Sequence, residues 1–446
     1  MKRIISILLC AVLAISLVAC KDTTGADASS VVGSSSKGTS SASGSSNGTS
    51  SDAEESSVGG SSSAGGSSSV GGSSTGTPSK ENSSTTSSTA SSVVPTVNNY
   101  KKTTYNLAEI TDYVHVTGRT DVVKTSSSKT GLLFDYAAQG LLFKADCEGD
   151  ITISFELKMR ANDTDGLHYY TVYIDGVKQD RISAKGTPGS TVVTELKVAS
   201  GLKRGVHTIE VYRNHEALLG ISTLLSVTMN GVPQKWVSDP NQLRIEFLGD
   251  SITSGTGVYG TNGAADQSNI KYYDGTAAYA FIASKLLNAE SSIVSRSGMT
   301  IAGDTGTPNM YNYYTKLSYE RNKTTAYDHS KMDVDLYVIS LGANDTNSTY
   351  NRTAEQITTD AKAAMAQVRK DHPNAKILWV YGQLSTTKAS AIKTAVEEMG
   401  GEAKGFYYYR CTKPNTSGSS YHPNAKAQQI AGEEVAAYIK TIFNLK

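Results

Sequence analysis

Residues 243–255 read Leu-Arg-Ile-Glu-Phe-Leu-Gly-Asp-Ser-Ile-Thr-Ser-Gly. Ile245, Phe247 and Leu248 form a short apolar run that stops at Gly249-Asp250-Ser251, the pattern of a buried parallel strand ending in a tight turn. In open α/β sheets, ligands bind beyond the carboxyl ends of the strands. A serine hydroxyl held there, with backbone N–H groups around it, is placed to act as a nucleophile. Taken alone, Gly-Asp-Ser is equally an ordinary loop, so its meaning rests on the rest of the chain.

Three further segments bear on it. Leu336 to Leu341 is a second apolar run, ending in Gly342-Ala343-Asn344-Asp345. Ser295-Arg296-Ser297-Gly298 follows the short run Ile293-Val294, and Tyr421-His422-Pro423-Asn424 lies near the carboxyl end, with Pro423 expected at the first position of the last helix. Acyl transfer needs a nucleophile, a base within hydrogen-bond reach and donors aimed at the developing oxyanion. Ser251, His422, the Gly298 N–H and the Asn344 amide supply these, with the Ser251 N–H as a further donor.

Ser251, Gly298, Asn344 and His422, in this order, resemble the four motif residues of the SGNH (GDSL-like) hydrolases. The resemblance covers residues 240–446 and is far more specific than any one motif. It implies a three-layer, flavodoxin-like α/β fold around a parallel sheet. The α/β-hydrolase elbow, Gly-x-Ser-x-Gly, is excluded because Thr253 stands where its second glycine would be. One departure matters. Many SGNH enzymes carry an Asp three residues before the histidine, whereas this chain has Ser419, and no acidic residue lies between Glu402 and His422. A carboxylate could arrive from elsewhere, Asp345 and Asp250 being the nearest motif candidates. The favoured reading is a Ser–His dyad whose imidazole is oriented by a backbone carbonyl. The remaining histidines are poorer bases: His207 and His215 lie in the amino-terminal half, His372 precedes Pro373 at a helix end, and His329 is expected in a solvated polar loop.

The periodicity agrees with an α/β fold. Tyr279 to Leu287, Thr353 to Arg369, Ala389 to Met399 and Pro423 to Ile442 carry helical apolar spacing. Lys376 to Tyr381 and Gly405 to Tyr409 read as buried strands. Of the 25 tyrosines, Tyr311 to Tyr314 is expected in a loop forming a cleft wall, and Tyr407 to Tyr409 in a strand.

The first 20 residues read as a lipoprotein signal peptide. Lys2-Arg3 precede an apolar stretch of about 15 residues, short of the ~20 a membrane span needs. Leu17-Val18-Ala19-Cys20 resembles the bacterial lipoprotein box, which would make Cys20 the lipidated residue. Residues 21–97 are a Ser/Gly-rich tract that cannot bury a core and is expected to be a disordered linker, with a root-mean-square span of roughly 50 Å. That leaves Cys147 and Cys411, expected as two isolated buried thiols. A net charge of +1, with no basic stripe, gives no pull toward nucleic acid, and nothing suggests a metal or other cofactor.

Residues 98–238 read as a β-sandwich or jelly roll, with strand patterns at Leu132 to Phe134, Ile151 to Leu157, Tyr169 to Ile174 and His207 to Tyr212. Asp175-Gly176 and Asn230-Gly231 are turn signals. Residues 239–446 form the hydrolase domain. Val116 to Arg119, Val172 to Gly176, His207 to Val211 and Asn214-His215-Glu216 are similar to the jelly roll of carbohydrate esterase family 2, which joins such a sandwich to an SGNH domain and often lacks the aspartate. The resemblance implies deacetylation of acetylated plant polysaccharides such as xylan or glucomannan; the lipoprotein box adds the expectation of a lipid anchor on the outer face of the bacterial cell membrane, and a monomer is expected. Other expectations are a lipase, a thioesterase or a peptidoglycan O-acetyl esterase, or, from another class, a glycan-binding surface protein whose hydrolase domain no longer acts.

Overall fold

The computed structural model describes residues 100–446 apart from 164, 266–268, 304–307, 347–349 and 414–415. The expected signal peptide, the lipidated Cys20 and the linker through residue 97 lie outside the described residues.

The amino-terminal region is antiparallel. Its strands are β1 (Lys102–Asn106), β2 (Val114–Val116), β3 (Val122–Lys124), β4 (Thr130–Leu133) and β5 (Gly140–Met159), then β6 (Leu167–Ile174), β7 (Val177–Lys178), β8 (Ile182–Lys185), β9 (Thr191–Arg213) and β10 (Gly220–Gln234). The sheet runs β3-β4-β10-β5-β9-β6-β7, with β1 on β10, β2 on β5 and β8 on β6. Register shifts between Cys147 and Thr152 break the β5–β9 ladder into two halves. Such bulges bend and twist a strand. Leu141, Phe143, Ala145 and Cys147 from one half, and Ile151, Ile153, Phe155 and Leu157 from the other, enter the same buried cluster. The sheet therefore closes over itself as a sandwich. Asp175-Gly176 forms the expected turn, with φ of 50° and 78°, and Ile174 pairs with Val177 across it. Asn230-Gly231 does not form a turn. It lies inside β10 beside a register shift, where any side chain on Gly231 would collide with the Asp146 carbonyl.

The carboxyl-terminal region alternates strand and helix: β11 (Arg244–Gly249), α1 (Tyr279–Leu286), β12 (Glu290–Ser295), α2 (Met310–Tyr314), β13 (Leu336–Ser340), α3 (Ala354–Asp371), β14 (Lys376–Tyr381), α4 (Ala389–Glu398), β15 (Phe406–Arg410) and α5 (Ala425–Phe443). The five strands are parallel, in the order β12-β11-β13-β14-β15. Alternate residues serve opposite faces. Ile245, Phe247, Leu336 and Val338 pack with Tyr279, Phe281, Val435 and Ile439 of α1 and α5. Leu248, Tyr337 and Ile339 pack with Ile357, Met365 and Ile392 of α3 and α4. This is the three-layer arrangement the sequence implies. A capping box between Thr353 and Gln356 starts α3. Helix α5 starts two residues later than expected: Asn424 caps it by accepting from the Ala427 N–H, so Pro423 precedes the cap.

Three other expectations need adjustment or are met. Tyr311 to Tyr314 is no cleft wall but part of short helix α2, with Tyr313 and Tyr314 buried. The Arg119 guanidinium takes the carbonyls of Tyr313, Tyr314 and Lys316 at 2.7–2.9 Å and so holds this segment inward. His329 is not solvated either: it stacks on Tyr314 at 4.3 Å between ring centroids and lies 3.2 Å from the His372 ring nitrogen. Cys147 and Cys411 are buried and unpaired, as expected.

The described residues from 100 onward lie in one compact unit, and the seam between sandwich and α/β region carries buried polar contacts beside apolar packing such as Tyr212 on Phe281. Arg119, just beyond β2, forms an ion pair with Glu246 of the central strand β11 at 2.7 Å, both fully buried. The Ser292 hydroxyl adds a third hydrogen bond to Glu246 at 2.8 Å, and Arg119 lies 4.0 Å from the Tyr327 ring centroid. Asp135 takes a two-point contact from Arg321 at 2.8 and 2.9 Å. Asn214 donates to Asp274 at 2.5 Å.

Breaking a buried ion pair by removing one partner typically costs about 3–5 kcal/mol because the other charge is left unsolvated. Arg119→Ala should therefore lower the unfolding free energy by about 3–5 kcal/mol in urea titrations. The double replacement Arg119→Met with Glu246→Leu should cost less. A single-mutant loss below about 1 kcal/mol would show that the pair does not hold the seam.

Candidate active site

The sheet order brings the separate motifs together. Ser251 follows β11, Gly298 follows β12 and Asn344 follows β13, at the carboxyl ends of three adjacent strands. The turn after β11 is tight: the Ser254 N–H donates to the Asp250 carbonyl, the Thr256 N–H to the Ser251 carbonyl, and Asp250 Oδ1 accepts the Ile252 N–H at 2.9 Å. Gly249 is required here, since a Cβ would stand 2.0 Å from Thr253 Oγ1. Gln428 of α5 ties this turn to α1. Its amide donates to the Ile252 carbonyl at 2.8 Å and its Oε1 accepts from the Tyr279 N–H at 2.9 Å.

His422 arrives from the short turn Ser419–Tyr421, in which Ser420 and Tyr421 adopt φ of 48° and 62°. Left-handed backbone at non-glycine residues costs of order 1–3 kcal/mol each and persists only where surrounding contacts impose it. Those contacts are present: the Ser419 N–H donates to the Gly257 carbonyl, the Ser420 N–H to Ala264, and the Ala425 N–H to Val258. The imidazole is thereby strapped to the segment that follows Ser251. Its Nε2 lies 2.8 Å from Ser251 Oγ, and its Nδ1 lies 3.2 Å from the Ser419 carbonyl. A carbonyl can only accept, so Nδ1 carries the proton and Nε2 is free to accept from the serine. Burial holds the imidazole pKa below its usual value, partly offset by the Ser419 and Ser420 carbonyls.

Neither candidate carboxylate bonds to this imidazole. Asp345 is buried and accepts the Ile301 N–H; Asp250 is bonded to Ile252 and faces the Asn344 amide. Burial pushes both carboxyls up to about 7.

Donors surround the nucleophile. The Ser251 and Gly298 N–H groups have no acceptor among the described residues. Gly298 has φ of +80°, a conformation suited to glycine. One Asn344 amide proton is used on the Met299 carbonyl at 3.0 Å. The other donates to Asp250 at a long 3.3 Å, a bond it must give up to serve an oxyanion. Among the described residues, no cluster of three or more His, Cys, Asp or Glu side chains is arranged to hold a metal ion.

Sequence reasoning missed Gln428 and also the surroundings of Ser297. Buried Glu216, from the sandwich, accepts from the Ser297 N–H at 2.6 Å and the Ser297 hydroxyl at 2.5 Å. The only signal was Glu216 within Asn214-His215-Glu216, a motif carrying no assigned role.

A hydroxyl on an imidazole, with free N–H groups beside it at the edge of a three-layer parallel sheet, is the arrangement of a serine hydrolase. Residues 245–435 match the family of GDSL-like Lipase/Acylhydrolase, and residues 117–234 match the Carbohydrate esterase 2 N-terminal family. The first match falls on the α/β region and the second on the sandwich.

The chain is 27% identical over 290 residues to the cellulase/esterase CelE of Acetivibrio thermocellus, a match covering 62% of this chain but only 34% of that relative. It is 21% identical over 348 residues to the acetylxylan esterase / glucomannan deacetylase of Cellvibrio japonicus, covering 76% of this chain and 92% of that one. Among solved structures, an acetyl xylan esterase (Est2A) from the rumen bacterium Butyrivibrio proteoclasticus superposes with a TM-score of 0.65 at 21% identity, covering 77% of this chain and 99% of that one.

With a carbonyl as orienter, no carboxylate substitution should mimic loss of the imidazole. Asp250→Asn and Asp345→Asn should each lower kcat by far less than the ~10⁴-fold drop typical of losing a triad aspartate. His422→Ala should abolish turnover. A drop of that full size in either Asp variant, at unchanged stability, would return the carboxylate to the triad.

Proposed function

We propose that this protein is a carbohydrate O-acetylesterase that removes acetyl groups from acetylated plant polysaccharides, xylan or glucomannan, through an acyl-serine intermediate. The observation that carries the reading is the 2.8 Å contact between His422 Nε2 and Ser251 Oγ, with the opposite ring nitrogen on the Ser419 carbonyl. His422 takes the Ser251 proton as the oxygen attacks the acetyl carbonyl. The Ser251 and Gly298 N–H groups and the Asn344 amide receive the charge that develops on the carbonyl oxygen. His422 then returns its proton to the departing sugar hydroxyl, and a water activated by the same nitrogen releases acetate.

The surroundings of His422 suit a sugar. A cavity of about 280 Å³ opens beside it, lined by Gln383, Leu384, Lys413, Thr416, Ser417, Tyr421 and Pro423. Tyr421 is 60% exposed there and offers both a ring face and a phenol. The lining is mixed, with Gln383, Lys413, Thr416 and Ser417 beside Leu384, Tyr421 and Pro423. The match to an acetylxylan esterase / glucomannan deacetylase over most of its length supports the same class of substrate. Together with the amino-terminal sequence, the reading extends to a monomeric enzyme anchored through Cys20 on the outer face of the membrane.

Ser251→Ala should abolish acetate release from acetylated xylan and glucomannan, and hydrolysis of p-nitrophenyl acetate, while circular dichroism shows an intact fold. Substantial residual activity would remove Ser251 as nucleophile. Preference for acetylated peptidoglycan or a long-chain ester in the same assay would redirect the substrate class, and inactive wild-type protein would leave a glycan-binding protein.

The neutral imidazole is the active base. Because its pKa is held below the usual value, the neutral form persists to lower pH. The acidic limb of the kcat/KM profile should therefore lie below about 6.5. A limb above that value would require a carboxylate beside His422.

A further inference from the structure

The sandwich contributes one side chain that reaches the loops of the catalytic site. Glu216 is fully buried; it accepts from the Ser297 N–H at 2.6 Å and the Ser297 hydroxyl at 2.5 Å, and the Ser254 hydroxyl lies 3.3 Å away, its single proton shared between Glu216 and the Asp250 carbonyl at 3.2 Å. Ser254 belongs to the turn that carries Ser251. Ser297 immediately precedes Gly298, whose N–H is unoccupied. One carboxylate from the sandwich therefore bridges the nucleophile turn and the turn that presents an oxyanion donor.

The directions of these bonds follow from the groups themselves. A carboxylate has no proton and can only accept. The Ser297 hydroxyl spends its single proton on Glu216, so the Thr256 hydroxyl, 2.9 Å away, donates to Ser297. Arg296 closes the turn from the other side by donating to the Ser297 carbonyl at 2.5 Å. A buried carboxylate is costly unless its partners are complete. Its retention at this point, satisfied by groups of the two turns, is a requirement on their geometry. The sandwich could be held by the Arg119, Asp135 and Asn214 contacts without it.

We propose that Glu216 is a positioning residue of the oxyanion site. By fixing Ser297 against the nucleophile turn, it sets where the Gly298 N–H points, so the sandwich completes the catalytic apparatus of the α/β region. The proposal rests on the esterase reading of Ser251 and His422. Oxyanion stabilisation depends on donors pre-aimed at the charge that develops in the transition state, so a loosened Gly298 turn should reduce kcat and leave ground-state binding largely alone.

The test uses Glu216→Gln in the full chain. This replacement keeps the shape and leaves no buried charge, but it places an NH₂ group against one of the Ser297 donors. With p-nitrophenyl acetate, kcat should fall about 10- to 100-fold, less than the 10²–10³ typical of deleting an oxyanion donor outright. KM should change by less than about threefold, with no loss of thermal stability. Ser297→Ala should give part of this loss, and the double variant should be no worse than Glu216→Gln alone, as expected for one shared interaction.

Wild-type kcat in Glu216→Gln overturns the proposal, as does a loss that appears only in KM or only as lower stability. Should wild-type protein hydrolyse no ester, the esterase reading fails separately. Amide hydrogen exchange then decides the positioning claim: Glu216→Gln must speed exchange in the Ser297–Gly298 segment, and unchanged protection overturns it.

Discussion

Glu246 is a carboxylate in the central strand of a buried sheet, and the fold depends on its being neutralised. Ser251 stands two residues beyond the end of strand β11, so any disturbance of the strand's packing moves the nucleophile. Among the described residues of the α/β region, Glu246 finds the Ser292 hydroxyl but no cationic Lys or Arg partner. The compensating charge comes from Arg119, more than a hundred residues earlier, and Arg119 in turn needs the carbonyls at 313, 314 and 316 to satisfy its remaining N–H groups. A buried charge without a partner is expensive enough to unfold a marginal protein. The sandwich and the parallel sheet are consequently parts of one structure.

The same seam reaches the site. Asn214 and Glu216 sit two residues apart at the end of β9; one bonds to Asp274 and the other to Ser297. Charged and amide side chains join the apolar contacts at this junction, although apolar packing alone would have served for adhesion. Hydrogen bonds are directional, and a hydrolytic site requires orientation as well as proximity. That difference gives a physical reason for the polar contacts at the seam.

His422 illustrates a second economy. With Ser419 three residues before it, the imidazole is oriented by the main chain of the turn that carries it, at the cost of two left-handed residues. A carbonyl fixes the tautomer as well as a carboxylate does, but it stabilises the imidazolium less. A lowered imidazole pKa is consistent with that exchange and with burial of the ring.

Much was legible in the sequence because it follows from local rules. The period-two and helical patterns gave the parallel sheet and its helices, and Asp175-Gly176 read as a turn because only a few residues tolerate positive φ there. The four site residues were recognisable from their order, and the serine turn before His422 excluded a neighbouring acid. Asn230-Gly231 shows the limit: the same turn chemistry lies in mid-strand because its partner strand approaches closely at a bulge. Tyr311 to Tyr314 and His329 were misplaced for a related reason, since Arg119 and the surrounding rings draw them inside. By itself the sequence determined the elements and the chemical groups, as propensity, periodicity and side-chain chemistry are local properties. Only the tertiary structure decided that the Ser419 carbonyl would orient His422 and that Glu216 would grip Ser297, because long-range pairing of buried polar groups is settled by which surfaces meet.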